Sequence, residues 1–118
     1  MNVVVVQGIL SRDPQERELP SGSRVVAYEI TVARSGARAE SVPVVWVDPP
    51  AARTALGVGA EVVAVGRVRR RFFRVGGSTQ SRTEVVADSV VATQEKRRAR
   101  TAISRAARAL ASGSPSAG

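Results

Sequence analysis

The sequence predicts an all-β barrel of five strands, with a short helix between the third and fourth strands and a basic helical extension after the last. Three observations carry this. Short runs rich in Val, Ile and Thr recur from residue 2 to about residue 91, separated by Gly, Pro, Ser and Asp. Several of these runs alternate apolar and polar residues with the period of two that turns one face of a strand to a core. From Gln94 onward the pattern changes to apolar residues three and four apart, the spacing of a helix. With 118 residues the chain suits one domain with a modest core.

Asn2 to Leu10 (NVVVVQGIL) is β-branched throughout and reads as the first strand, bent or bulged at Gly8. Asp13-Pro14 initiates a turn, and Pro20-Ser21-Gly22 makes another, so Glu16 to Leu19 is at most a short strand. Arg24 to Arg34 alternates: Val26, Tyr28, Ile30 and Val32 share one face, Ala27, Glu29, Thr31 and Ala33 the other. Ser35 to Ala39 is a loop. Glu40 to Val47 is the third strand, and Pro43 assigns it to an edge or a bulge because proline donates no ladder hydrogen bond. Pro50 to Leu56 forms the short helix, with Pro in its first turn and Gly57 after its end. Val62 to Phe73 is the fourth strand, Val75 to Gln80 a hairpin loop, and Ser81 to Val91 the fifth strand. Five strands with a helix between the third and fourth is the order of the OB-fold, a Greek-key barrel with one ligand-binding face.

The fourth strand carries the clearest chemistry. It starts as a near-continuous apolar run and turns basic after Gly66. Alternation puts Arg67, Arg69, Arg71 and Phe73 on one face, and Val62, Ala64, Val68 and Phe72, interrupted by Arg70, on the other. A row of guanidiniums ending in an aromatic ring suits a polyanion with flat bases, that is, a single nucleic-acid strand. The competing reading is a solvated edge strand whose charge resists aggregation. Composition favours an anionic partner: Lys plus Arg is 18 against 10 for Asp plus Glu, a formal charge of +8. All but Lys96 of those cations are Arg, which carries less weight because a GC-rich genome has the same effect.

The absence of Cys and His excludes thiolate and imidazole metal sites, Cys nucleophiles and His bases. The carboxylates form no acid–base pair, and no Ser or Thr has an evident base, so neither enzyme activity nor a cofactor is expected. Gly57-Val58-Gly59 follows a helix and precedes a strand, the reverse of a dinucleotide-binding turn. No apolar run approaches about 18 residues, and the start has no basic n-region, so no membrane association and a soluble cytoplasmic, nucleoid-associated protein are expected.

Four stretches support a resemblance. MNVVVVQGIL with Arg12-Asp13-Pro14 and Pro20-Ser21-Gly22 resembles the opening of bacterial single-stranded DNA-binding proteins. VVAYEITVAR resembles that family's strand ending in a basic residue, here Arg34. Val62 to Phe73 resembles its V-x-V-x-G-x-L-R-x-R stretch followed by an aromatic, and Glu84-Val85-Val86-Ala87 its closing E-(I/V)-V-A. The match runs in register from Met1 to about Val91. It implies an OB-fold over residues 1–93, binding of single-stranded DNA with little sequence preference in replication, recombination or repair, and a homotetramer. It puts Arg34, Arg69, Arg71 and Phe73 on the DNA-facing surface; Arg67 and Arg74 extend that basic row, and Trp46 is a candidate stacking platform or a packing residue.

The chain departs from the family in two ways. It has one Trp, one Tyr and two Phe, few platforms for base stacking. The family's third-strand aromatics match Val42 and Asp48 approximately, with Trp46 on their face; Tyr28 reads as core. This predicts weaker or more salt-sensitive binding, and it leaves open an accessory or regulatory subunit that binds nucleic acid poorly, or RNA as the ligand. The family's acidic tip has no counterpart here, so no partners recruited through such a tip are expected. Residues 94–111 form instead an Ala/Arg-rich helix with Ala99, Ala102, Ile103, Ala106 and Leu110 as its apolar stripe. Six cations against Glu95 give residues 94–118 a charge of +5. The helix is either a further phosphate-binding arm or a solvated, frayed extension. Residues 112–118 are low-complexity and expected to be disordered.

Overall fold

The computed structural model describes residues 2–34, 36–50 and 56–111. Six strands precede one helix: β1 (Val4–Leu10), β2 (Gln15–Glu18), β3 (Arg24–Arg34), β4 (Ala37–Val47), β5 (Glu61–Val75), β6 (Ser78–Ala92) and α1 (Lys96–Ala111). The sheet order is β1-β5-β6-β4-β3-β2, and β1 also pairs with β3 through Ile9 and Leu10. Five strands therefore close a ring, consistent with an OB-fold, and β2 is added to the open edge of β3. Of the expected helix at Pro50 to Leu56, residues 51–55 lie outside the described residues, as does the expected tail at 112–118.

Ring closure depends on two glycines. A Cβ at Gly8 would strike the Thr31 carbonyl oxygen, so only glycine lets β1 pass from β5 to β3. A Cβ at Gly66 would strike the Val86 carbonyl oxygen, at the point where the β5–β6 register shifts and Asp88 is bulged out of β6. The bulge switches the phase of β6: Val85 and Ala87 face the barrel core before it, and Val90 after it.

The core joins Leu10, Val26, Tyr28, Ile30, Val44, Trp46, Val62, Ala64, Val85, Ala87 and Val90. A second cluster lies outside the barrel, where Ala99, Ala102 and Ala106 of α1 cover Val63, Val65 and Val91. The apolar run at the start of β5 is thus buried on both faces, by the barrel on one and by the helix on the other. Ile103 and Leu110 do not join that contact and stay exposed.

Two strand expectations change. β4 is interior, between β3 and β6, not an edge strand; its parallel contact with β6 covers only Val44 and Val45 and starts one residue after Pro43. The loop between the last two strands shrinks to Gly76-Gly77, both with positive φ (55° and 85°), the conformation a two-residue hairpin turn needs. Consequently β5 and β6 pair to their ends and project beyond the barrel as a long ribbon.

A basic groove on the outer face of the sheet

Register dictates what meets on the outer face. Counting outward from the Gly76-Gly77 turn sets Arg71 opposite Arg82 and Arg69 opposite Glu84. On this face β3 and β4 present Ala27 beside Val45 and Glu29 beside Pro43. Together these residues line a groove of about 450 Å³, with Arg12 and Arg17 on its rim beside β2. Its floor is aliphatic, and its walls carry five arginines (Arg12, Arg17, Arg69, Arg71 and Arg82) against three carboxylates (Glu16, Glu29 and Glu84).

Glu84 is the one buried charged side chain among the described residues, only 4% exposed. A buried carboxylate is stable only with partners. Arg69 Nη2 donates to Glu84 Oε2 at 2.6 Å, and Arg71 Nε stands 3.5 Å from Glu84 Oε1. Arg71 also lies over the Phe73 ring, 5.6 Å from its centroid, in cation–π range. Each arginine keeps a little under half of its side chain exposed. A guanidinium carries five N–H donors. One carboxylate therefore holds two guanidiniums while leaving donors free for an anion from solvent. On the rim, Arg12 Nε pairs with Glu29 at 3.7 Å, and Arg24 pairs with Glu16 at 3.3 Å.

Of the residues singled out from sequence, Arg69, Arg71 and Phe73 come together here. Arg67 continues their row toward the barrel but lines a separate pocket beside α1. Arg74 alternates onto the opposite face of the ribbon, where its Nη2 lies 3.4 Å from the Gly77 carbonyl. Arg34 ends β3, in register with Ala37 at the turn. Trp46 is a correction: it is 5% exposed, packed in the barrel core with Tyr28, and offers no surface for a base. Phe72 is another. It has the core-facing phase, but the ribbon has left the barrel by that point, and Phe72 is 66% exposed.

The sequence reading missed Glu84, Arg82, Arg12 and Arg17. The signal for the first two was present, because a two-residue turn at Gly76-Gly77 fixes the pairing of everything behind it. Arg17 is adjacent to the groove through the β2–β3 pairing and Arg12 through its ion pair with Glu29 of β3, and no local pattern encodes either. A further feature is Asn2: its side-chain amide donates to the Val68 carbonyl at 2.7 Å and accepts from the Val68 N–H at 2.9 Å. It thereby continues the β1–β5 ladder by one side-chain rung at the base of the arginine row.

Among the described residues, no group of acidic side chains is arranged to hold a metal ion, and no helix is long and apolar enough to cross a membrane. No curated protein matches the chain. Residues 1–93 match the model of the single-strand binding protein family, and the chain belongs to that family, whose members are non-catalytic DNA-binding proteins.

Proposed function

From membership in the single-strand binding protein family, we propose that this chain holds single-stranded DNA in the outer groove, by phosphate contacts first and base stacking second. The observation that carries this is the Glu84-anchored pair Arg69 and Arg71, half exposed on the wall of an open groove. Anchored guanidiniums lose little side-chain freedom when they meet a phosphate, and displacement of counterions drives the contact. Arg12, Arg17 and Arg82 widen the basic wall. The aliphatic floor at Ala27 and Val45 gives bases an apolar surface without reading their edges, which supports weak sequence preference.

Stacking falls to Phe73, beside Arg71, and to the exposed Phe72 on the other side of the ribbon. With Trp46 and Tyr28 inward, binding relies on charge more than is usual for a stacking groove, and salt sensitivity follows. Self-association is part of the proposal: Val5 and Ile9 are exposed outward on β1, on either side of Gln7, at positions open to a second copy, which native mass measurement tests. A role in replication, recombination or repair at the nucleoid follows from such binding.

The test is fluorescence anisotropy of labelled oligo-dT against increasing salt, beside an equal-length duplex. Preference for the single strand, with a log–log salt slope of about −0.7 for each phosphate contacted, is expected. Equal affinity for duplex contradicts the groove. Lack of binding even at low salt favours the second reading, an accessory subunit, which the inward Trp46 and Tyr28 motivate.

A further inference from the structure

We propose that α1 is a second phosphate-binding wall, which takes over the DNA strand where the β5 arginine row ends. This rests on the single-strand reading above, and it assigns a role to a segment beyond the residues 1–93 matched by the family.

The outward positions of β5 form one line. Val63 and Val65 lie under α1, Arg67 comes next, and Arg69 and Arg71 line the groove. Alternate strand residues are about 7 Å apart, so the line from Arg71 to Arg67 runs about 14 Å. Arg67 is shared ground: it lines a pocket of about 520 Å³ between barrel and helix, together with Arg97, Arg98 and Arg105 of α1. Asp88 is the one carboxylate among the described walls of that pocket. A second hollow follows on the helix itself, where Arg97 and Arg105 recur with Lys96, Arg100 and Arg108 and no carboxylate. Cations therefore line each stage from groove to helix, with Asp88 as the one carboxylate on the described walls between them.

The charge arrangement of α1 works against its own stability. Its first turn holds no acidic residue and begins Lys96-Arg97-Arg98, at the helix end where the backbone dipole disfavours cations. Lys96 and Arg100 stand one turn apart with like charge, a pairing that weakens an isolated helix. Glu95 reaches Arg98 at 3.7 Å and is the sole carboxylate in residues 94–118. A polyanion along this side relieves both effects. Packing through Ala99, Ala102 and Ala106 fixes the helix on the barrel, so its cations are held near the strand's exit rather than on a free tail.

The experiment compares the parent chain with an Arg97→Gln/Arg105→Gln variant, titrating labelled oligo-dT of about six and about 20 nucleotides, and an equal-length duplex of the longer one, across salt. Circular dichroism verifies the helix, and Arg97→Ala/Arg105→Ala repeats the test if the glutamine pair lowers the helical signal. The short oligomer is expected to bind both proteins equally. The long one is expected to bind the variant more weakly, with a log–log slope shallower by about 1.4, two contacts at about 0.7 each. Arg97→Lys/Arg105→Lys keeps the slope of the parent. If the parent binds both lengths and the variants keep the long-oligomer affinity and slope, α1 carries no DNA, while the groove reading stands. If the parent binds neither length, the groove reading falls and takes this one with it. A loss confined to duplex DNA also overturns the proposal, since it assigns the helix to a different ligand.

Discussion

Residues 62–65 and 67–73 belong to the same strand and follow the same alternation, yet they serve different ends. In the first half both faces are covered: Val62 and Ala64 by the barrel, Val63 and Val65 by α1. In the second half the ribbon runs past the barrel, Val68 and Phe72 lose their cover, and the opposite face becomes a row of arginines. Gly66 is the hinge between the halves, and the Asp88 bulge sits across from it. The period of a strand sets which residues share a face, while the elements packed against it decide whether that face is buried or exposed.

The largest expected effect comes from breaking the hinge. Gly66→Ala forces a methyl group into the Val86 backbone, which cannot yield as a flexible side chain would; a loss of about 3 kcal/mol in denaturant unfolding is expected. A loss under about 0.5 kcal/mol would show that the two halves are not separated by a close backbone approach.

Next comes the anchor. Glu84→Gln removes the charge that holds Arg69 and Arg71, with an expected stability loss of about 1–2 kcal/mol. The binding prediction is sharper. The variant is one unit more positive, so a purely electrostatic surface would gain affinity for DNA. An anchored pair loses it, because the guanidiniums must then be ordered by the ligand. Anisotropy titration with oligo-dT at fixed salt decides by the sign of the change.

A smaller effect is expected at the tip. Phe73→Ala should weaken oligo-dT binding by about 1–2 kcal/mol with the salt slope nearly unchanged, since stacking displaces no counterions. A change in thermal stability with unaltered affinity would make the ring a packing partner of Arg71 alone. Trp46 provides the smallest effect. Buried at 5% exposure, it should keep its emission nearly constant when DNA fills the groove, and strong quenching would contradict its position in the core.

Most of the fold was legible because its strands are short apolar runs punctuated by Gly and Pro, and because the fifteen-residue β5 announces its two halves in composition. The interior position of β4 was not, because Pro43 argues locally for an edge and only the short parallel contact at Val44 and Val45 overrides it. In the site, Arg69, Arg71 and Phe73 followed from alternation alone. Trp46 failed for a related reason. Val42, Val44 and Trp46 do share a face, but it is the inward one, and a register slip of one residue exchanges the faces of a strand. The Glu84 anchor was hidden because a carboxylate in a strand looks solvent-facing until its cross-strand neighbours are known.

The most direct test of the central claim is the salt dependence of oligo-dT binding for Arg69→Ala/Arg71→Ala beside the parent chain, using a short oligomer that fits the groove. Weaker binding is expected, with a log–log slope shallower by about 1.4, two phosphate contacts at about 0.7 each. A folded double variant that binds with the parent's affinity and slope would contradict it, and would leave the arginine row as a solvated strand that resists aggregation.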